Sequence, residues 1–244
     1  MFSVVIPYYK KPDYIKRCVD SVLAQTFDAF EIIVVDDGSP DDGTHFLSLA
    51  YSPRVRVVRQ ENGGVSSARN TGIRQAQFPF VAFLDADDYW HPNYLSYVAA
   101  LLKEQPQARI VGSHYTRDKA VLSDVPAPLS YFKFEHYFRE AARNTYFFTS
   151  ATVVARAFFE THEGFSPDLK GGEDIDVWIR AVLDGGEAFY IRNTLVYYSD
   201  EDVFQATNVM PDIDHTLAGC AHQKYAVLLR ERRHPDFNRF ISQY

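Results

Sequence analysis

The sequence has few cysteines and a deficit of positive charge, and each shortage excludes a class of protein. Cys18 and Cys220 lie far apart and form no CxxC motif, which predicts a reducing compartment and no cysteine-based metal or redox site. Lysine and arginine number 25 against 32 acidic residues, a formal net charge of −7. This balance argues against nucleic acid as the main partner, because phosphate backbones are held by clustered basic side chains.

Long apolar runs are also missing. No stretch is long enough to cross a bilayer, and residues 1–7 enter a strand directly, without the basic and apolar regions of a signal peptide. We therefore expect a cytoplasmic protein.

What the sequence does contain is a regular alternation of strand and helix patterns. Its 46% hydrophobic content over 244 residues is enough for a full core. The patterns repeat about every 25 residues, as strands over 2–6, 31–35, 55–58 and 80–84 and helices over 12–23, 42–50, 66–76 and 93–103. This spacing is typical of βαβ units. We predict an α/β fold with a Rossmann-like, mostly parallel sheet flanked by helices and a helical C-terminal extension.

An acidic cluster follows the fourth predicted strand. The apolar run 80–84 is followed at once by Asp85, Asp87 and Asp88. Like charges beside a core are costly unless a cation lies among them, and Mg²⁺ or Mn²⁺ prefers carboxylate oxygens. In extended geometry Asp85 and Asp87 project to the same side and could face one ion. The alternative is an Asp-rich helix N-cap, and Asp88 could be only that.

Two more clusters follow strands one and two, at Tyr8-Tyr9 and at Asp36-Asp37. In open α/β sheets ligands bind beyond the carboxyl ends of the strands, so these groups and the acidic cluster should converge. An aromatic ring can stack on a nucleobase, a carboxylate can accept from an N–H of the base, and a metal can bind the phosphates. Together these groups predict a nucleotide diphosphate site. The alternatives are turn chemistry at Asp36-Asp37 and a packed strand end at the tyrosines.

Five motifs occur in the order seen in family 2 glycosyltransferases, which the chain resembles. They are Val4–Lys10 (VVIPYYK), Val34–Ser39 (VVDDGS), Asn62–Gly72 (NGGVSSARNTG), Phe83–Asp88 (FLDADD) and Gly172–Asp174 (GED). The match is dense over 2–95 and returns at about 150–182. The resemblance implies an inverting, nucleotide-sugar-dependent enzyme with the GT-A fold. One continuous domain would then comprise a nucleotide-sugar-binding half (1–116), an acceptor-side half (117–199) and a helical tail (200–244).

The resemblance also implies roles for individual residues. Tyr9 would stack on uracil, Asp37 would bind the N3–H of the base, and Asp87 would be the direct metal ligand. The implied nucleotide-binding set is Pro7, Tyr8, Tyr9, Asp37, Arg69, Asp85 and Ala86, with Asp85 at the ribose or the metal. Arg69 would reach the nucleotide or its phosphates, and its alternative is a surface ion pair on a helix.

Asp174 would be the catalytic base, with Glu173 beside it. Transfer with inversion needs a carboxylate near the acceptor hydroxyl, opposite the leaving diphosphate. At a helix N-terminus the backbone N–H groups would hold such an acid in place, which suits orientation more than a raised pKa, and glycines 171–172 would let the backbone approach the site. The acid could instead be a cap, and Glu173 or Asp176 could equally be the base. Trp178 shares the helical spacing of the core residues around it.

One departure concerns the end of the last predicted strand, 194–198. Many relatives have an Arg and a His there, whereas this chain reads Tyr-Tyr-Ser-Asp-Glu-Asp over 197–202. His215 is a candidate substitute. The aromatic segment 131–148 has three interpretations, which are a core, a wall for the acceptor sugar, or a face resting on a membrane beside Arg139 and Arg143.

These observations predict a Mn²⁺- or Mg²⁺-dependent transfer of one hexose from a nucleotide-diphosphate sugar, UDP-linked by expectation. The acceptor would be a hydroxyl of a glycan or glycolipid in cell-surface polysaccharide biosynthesis, at the inner face of the membrane if the aromatic segment rests on it. One alternative is a sugar-1-phosphate nucleotidyltransferase, which needs a Gly- and Arg-rich loop after strand one that is not present. Another is a non-catalytic nucleotide-sugar-binding module.

Overall fold

The computed structural model describes residues 1–41, 43–45, 47, 51, 53–122, 127–201, 211–231 and 235–243. Its strands are β1 (Phe2–Tyr8), β2 (Phe30–Asp36), β3 (Val55–Arg59), β4 (Phe80–Phe83), β5 (Tyr89–Trp90), β6 (Ala108–Thr116), β7 (Tyr131–Lys133), β8 (Thr152–Ala155) and β9 (Glu187–Tyr197). Its α-helices are α1 (Pro12–Leu23), α2 (Val65–Gln75), α3 (Tyr94–Glu104), α4 (Lys119–Leu122), α5 (Tyr137–Ala141), α6 (Phe158–Thr161), α7 (Glu173–Leu183), α8 (Leu217–Lys224), α9 (Ala226–Glu231) and α10 (Pro235–Ile241). Two 3₁₀ turns cover Thr149–Ala151 and Ile213–His215.

All nine strands form one sheet in the order β3-β2-β1-β4-β8-β6-β9-β5, with β7 also paired to β9. The pairs among β1, β2, β3 and β4 are parallel, as is the pair of β6 with β9, whereas β8 is antiparallel to both β4 and β6. Strand order reverses at β1, which lies between β2 and β4. The carboxyl ends of β1 and β4 therefore flank the crevice where open α/β sheets bind ligands.

The sheet is covered on both faces, which explains its continuous apolar strands. Alternate residues of β1 face opposite layers, with Val4 and Ile6 in one core and Val5 in the other. The first core includes the buried residues of α1 and α3, and the second includes those of α2, α7 and the C-terminal helices. The α/β architecture expected from the strand–helix alternation is confirmed.

Several local expectations need correction. The strand of the acidic cluster ends at Phe83, one residue early, and the last strand begins at Glu187 rather than 194. The short helix expected over 42–50 lies mainly outside the described residues.

The aromatic segment 131–148 lies partly in the core, whereas Phe148 at its end is half-buried. Phe134, Tyr137, Phe138 and Phe147 are each at most 8% exposed, and Phe138 packs against Phe237 of α10 at a ring-centroid distance of 4.9 Å. Burying these rings needs the C-terminal helices, which periodicity alone could not place. Within the described ranges, no helix is long and apolar enough to cross a membrane.

Candidate functional site

The acidic cluster forms a turn at the carboxyl end of β4. The amide of Asp88 donates to the carbonyl of Asp85 at 3.0 Å, so the backbone bends where extended geometry was expected. The carboxylates of Asp85 and Asp87 therefore do not project side by side from a strand. They reach the β1–β4 crevice from two positions of one turn.

Each of these two carboxylates has a basic partner from another element. Asp85 Oδ1 accepts from Arg69 at 2.8 Å, and Asp87 Oδ2 pairs with Lys11 Nζ at 2.5 Å. Asp87 is 4% exposed. Burial raises its pKa, although the Lys11 ammonium opposes the effect and Asp85 adds to it. Negative charge is thus concentrated in a partly dehydrated place, which favours a cation.

Asp88 holds the turn to the rest of the sheet. Its Oδ2 accepts from the Ser150 hydroxyl, and its Oδ1 accepts from the Ser199 amide at 2.8 Å. The oxygen of the same Ser150 hydroxyl accepts a hydrogen bond from the Asp85 amide at 3.0 Å. Burial raises the pKa of Asp88 well above its usual range, and the nearby carboxylates add to this. Asp88 is a buried structural residue, and it is not the helix cap considered for it, because the N-cap of α3 is Asn93.

At the predicted nucleobase pocket, the consecutive tyrosines Tyr8 and Tyr9 have different environments. Tyr8 is 1% exposed within the core, and its hydroxyl donates to Asp41, so it is a packed strand end. Tyr9 is 41% exposed and presents its ring to solvent. Pro7 is half-buried within β1, and Ala86 is 2% exposed against the core.

Asp37 is 3% exposed and organises the loop before α2. Its carboxylate accepts from the amides of Gly63 and Gly64, at 2.9 and 2.8 Å, and from the Gln60 side chain at 2.7 Å. Gly64, at a φ of +85°, precedes the first turn of α2. Asp37 therefore joins the end of β2 to this N-terminus, and a base would meet it already hydrogen-bonded.

Arg69 connects the acidic turn to α7. It is 4% exposed, and its guanidinium binds Asp85 at 2.8 Å and Glu173 Oε1 at 3.0 Å. The alternative of a surface ion pair is therefore wrong. In sequence, Glu173 is 104 residues from Arg69 and Asp85 is 16 residues from it. The Arg69 side chain therefore joins the acidic turn to the start of α7.

Asp174 lies at the start of α7, beside Glu173. Its Oδ2 accepts from the Thr149 hydroxyl at 2.9 Å, and its Oδ1 from the Ile175 amide at 2.7 Å. Burial and the Glu173 charge raise the pKa of Asp174 to about 6, against the opposing effect of Arg69. The pKa of Asp174 is therefore raised, although the helix N-terminus was expected to suit orientation more than a raised pKa. Such a pKa suits a general base near neutral pH.

The C-terminal helices pack against the start of α7. A Cβ on Gly172, which has a φ of +75°, would lie 2.8 Å from the Cβ of Leu217. Gly172 thus allows the close approach of α8 to the start of α7, whereas the glycines were expected to let the backbone approach the site. Asp176 is 0% exposed and accepts from Tyr225 at 2.7 Å, which leaves it a structural role. Trp178 is a core residue at 1% exposed.

His215 lies in the exposed turn before α8, where its carbonyl accepts from the Lys170 amide at 2.7 Å. The acidic stretch after β9 has its own partners. Glu201 pairs with Arg17 at 3.1 Å and also with Lys119. Glu201 therefore joins the end of β9 to α1 and α4 through ion pairs, and Asp202 lies outside the described residues.

The donor chemistry of the acidic turn fits a hard divalent cation. Asp85 and Asp87 offer carboxylate oxygens, as Mg²⁺ and Mn²⁺ prefer. Across the described part of the chain, no three His, Cys, Asp or Glu side chains are placed to hold an ion together. Two carboxylates suit an ion that shares its coordination with phosphates and water.

Three residues of this arrangement, Lys11, Thr149 and Ser150, were not singled out from the sequence. Thr149 and Ser150 bring hydroxyls to Asp174 and Asp88. Their signal was a hydroxyl-rich run, Thr-Ser-Ala-Thr over 149–152, inside an otherwise apolar stretch. Lys11 lacked any such signal, because a lysine after a strand is ordinary surface composition.

Comparison with known proteins identifies the family and the fold. The family model Glycosyl transferase family 2 matches residues 3–162, more than half of the chain. Chondroitin synthase of Pasteurella multocida is 31% identical over 185 residues, covering 74% of this chain and 18% of that protein. TarS 1–349 of S. aureus, in complex with UDP-GlcNAc, has a TM-score of 0.81 at 20% identity, covering 99% of this chain and 70% of that chain.

Mannosyltransferase PcManGT from Pyrobaculum calidifontis, in complex with GDP-Man and Mn²⁺, has a TM-score of 0.70 at 20% identity, covering 99% of this chain and 68% of that chain. At such identity the likeness concerns the fold, and the GT-A expectation is confirmed. The chain spans about a fifth of the length of the curated relative from Pasteurella multocida.

Proposed function

The chain belongs to glycosyl transferase family 2, and from that premise we propose that it transfers one hexose, with inversion, from a UDP-sugar to a hydroxyl of a glycan or glycolipid in polysaccharide biosynthesis. The observation that carries the proposal is the chain of contacts from the acidic turn through Arg69 to α7. It joins Asp85 and Glu173 within 3.0 Å of one guanidinium, next to Asp174. The proposed donor site and the proposed base would thereby be held at fixed positions relative to each other.

The nucleotide would lie in the β1–β4 crevice. Tyr9, with its exposed ring, would stack on the uracil, and Asp37 would accept from the N3–H through a remaining lone pair. Asp87 and Asp85 would hold Mn²⁺ or Mg²⁺, which supplies positive charge to the diphosphate that leaves. TarS 1–349 in complex with UDP-GlcNAc and PcManGT in complex with GDP-Man and Mn²⁺ share this fold, which supports the assignment.

Asp174 would act as the base. As the acceptor oxygen attacks the anomeric carbon, its proton moves to Asp174, and the bond from that carbon to the diphosphate oxygen breaks with its electron pair. In-line displacement of this kind inverts the configuration at the anomeric carbon. Thr149 holds Asp174 Oδ2, which leaves the other oxygen, shared with the Ile175 amide, to receive the proton.

A second candidate function is a nucleotide-sugar-binding module without catalysis. The absence of a histidine at 197–202 favours it. The raised pKa of Asp174 opposes it, because perturbed carboxylate pKa values cluster at catalytic sites. The nucleotidyltransferase alternative has no supporting observation, since Tyr9, Lys10 and Lys11 follow β1 where a Gly- and Arg-rich loop is required.

Calorimetric titration with UDP, GDP and CDP tests the donor site, in Mn²⁺ and again in EDTA. We expect UDP to bind in Mn²⁺ and at least tenfold more weakly in EDTA. GDP and CDP should bind at least tenfold more weakly than UDP in Mn²⁺. Asp37→Asn should lose most of the preference for UDP, whereas Asp118→Asn, an exposed acid beyond β6, should retain it. Absence of nucleotide binding in both conditions would remove the transferase proposal.

A further inference from the structure

Three half-buried aromatic rings form a cluster at the carboxyl ends of β6 and β9. Tyr115 is near the end of β6, Phe148 precedes the first 3₁₀ turn, and Tyr198 follows β9. Ring centroids are 4.8 Å apart for Tyr115 and Phe148, 4.6 Å for Phe148 and Tyr198, and 5.9 Å for Tyr115 and Tyr198. We refer to these three residues as the aromatic triad.

The triad lies directly beside the proposed catalytic residues. Three consecutive residues lead from one to the other, because Phe148 belongs to the triad, Thr149 donates to Asp174 at 2.9 Å, and Ser150 binds Asp88. On the other side, the residue after Tyr198 is Ser199, whose amide also binds Asp88. Thr149, which binds the proposed base, and Ser199, which binds the acidic turn, are therefore each the next residue in sequence after a triad residue.

The triad is also rigid. The Tyr198 amide donates to the Thr116 carbonyl at 2.8 Å, which continues the pairing of β6 and β9. The Phe148 carbonyl accepts from the Ala151 amide at 2.9 Å and from the Thr152 hydroxyl at 2.7 Å. Tyr115 and Phe148 rest on the first core. A platform held in this way loses little conformational entropy when a ligand binds.

Charge completes the surface. The exposed Arg117 places its guanidinium 4.9 Å from the centroid of the Tyr198 ring. Flat rings suit the C–H face of a pyranose, and a guanidinium beside them can donate to its hydroxyl oxygens. Most of the other ring clusters, such as Phe134 with Phe147, are inside the core.

We propose that the aromatic triad, with Arg117, is the binding platform for the pyranose of the acceptor. This inference rests on the proposed function. The acceptor hydroxyl must approach Asp174 from the side opposite the diphosphate, and the order Phe148, Thr149, Ser150 puts the triad, the base and the acidic turn in that succession. The platform would orient the acceptor and would leave nucleotide binding to the β1–β4 crevice.

Saturation-transfer difference NMR on the full chain, with UDP and Mg²⁺, tests the platform. The probes are methyl β-D-glucopyranoside, methyl β-D-galactopyranoside and methyl N-acetyl-β-D-glucosaminide, and D-mannitol is the open-chain control. With aromatic protons irradiated, at least one pyranoside should show transfer to its ring C–H protons, and mannitol should not. Phe148→Leu and Tyr198→Leu should each reduce that transfer at least fivefold, while Tyr198→Phe, which keeps the ring, should retain it.

The UDP signals in the same spectra separate the two proposals. Loss of pyranoside transfer in the leucine variants, with UDP transfer intact, supports the platform. Equal pyranoside transfer in wild type and leucine variants, or none in wild type while UDP gives a signal, overturns it. Triad-dependent pyranoside transfer without any UDP signal would keep the platform and reject the UDP donor. Arg117→Ala changes an exposed side chain, so a twofold or greater loss of transfer there cannot be attributed to misfolding.

Discussion

Replacing Arg69 with methionine should destabilise the protein strongly. The substitution keeps the apolar stem and removes the guanidinium that binds Asp85 at 2.8 Å and Glu173 at 3.0 Å. The two carboxylates are 26% and 17% exposed in their side chains, so water can solvate them only in part. Removing one partner of a buried pair costs about 3–5 kcal/mol.

Partial exposure of Asp85 places the expected loss at the lower end, about 3 kcal/mol of unfolding free energy. For a chain of this size, that lowers Tm by roughly 6–12 °C. Urea unfolding followed by the fluorescence of the buried Trp90 and Trp178 measures the free energy directly. Arg74→Met is the matched control, because Arg74 is exposed on the same helix, and it should change stability by less than about 0.5 kcal/mol.

A double variant shows whether the loss comes from the unpaired carboxylates. Adding Glu173→Gln to Arg69→Met removes one of them, and should restore about 1 kcal/mol or more of the free energy of unfolding. Equal stability of Arg69→Met and Arg74→Met would refute the bridging role. A double variant less stable than Arg69→Met would place the loss in packing instead of charge.

Two further outcomes follow from the same electrostatics. Since the pKa of Asp174 is raised to about 6, the base is protonated below that pH, so kcat/KM of the transferase should fall as the pH decreases through about 6. Arg69→Met should shift this fall in kcat/KM to higher pH, because the Arg69 charge lowers the pKa of Asp174. A limb near pH 4 would contradict this assignment. Lys11 pairs with Asp87 at 2.5 Å, so Lys11→Met should tighten Mn²⁺ binding without nucleotide by about tenfold, or ~1.4 kcal/mol, whereas Lys10→Met should not. Calorimetry measures the Mn²⁺ affinity of both variants, and equal affinities would mean that Lys11 does not compete with the ion for the Asp87 carboxylate.

Much of the parallel half of the fold could be predicted from periodicity. Strands β1, β2 and β4 are largely buried, so they appear as apolar runs bounded by turn residues. The second half is held by contacts between distant residues. The ring of Phe138 meets Phe237, and β8 inserts between β4 and β6 in antiparallel sense. Neither contact leaves a local pattern in sequence.

The candidate site was predictable as a set of motifs, but the partners of its charges were not. The acids were found because they follow strands, whereas the bend at Asp85–Asp88 depends on Ser150 in a 3₁₀ turn and on Ser199 after β9, both remote in sequence. The raised pKa of Asp174 was missed for the same reason. Its cause is burial against residues remote in sequence, and the local helix N-terminus predicted the opposite direction.

The measurement that tests the central claim most directly compares Asp174→Asn and Glu173→Gln with wild type. UDP release from a panel of UDP-hexoses and UDP-N-acetylhexosamines gives turnover, and UDP calorimetry gives nucleotide affinity. We expect Asp174→Asn to reduce turnover by about 10²–10⁴ with UDP affinity within threefold of wild type, and Glu173→Gln to reduce it less. Turnover by Asp174→Asn at the wild-type rate would contradict the assignment of the base, and turnover lost only in Glu173→Gln would transfer that role to Glu173.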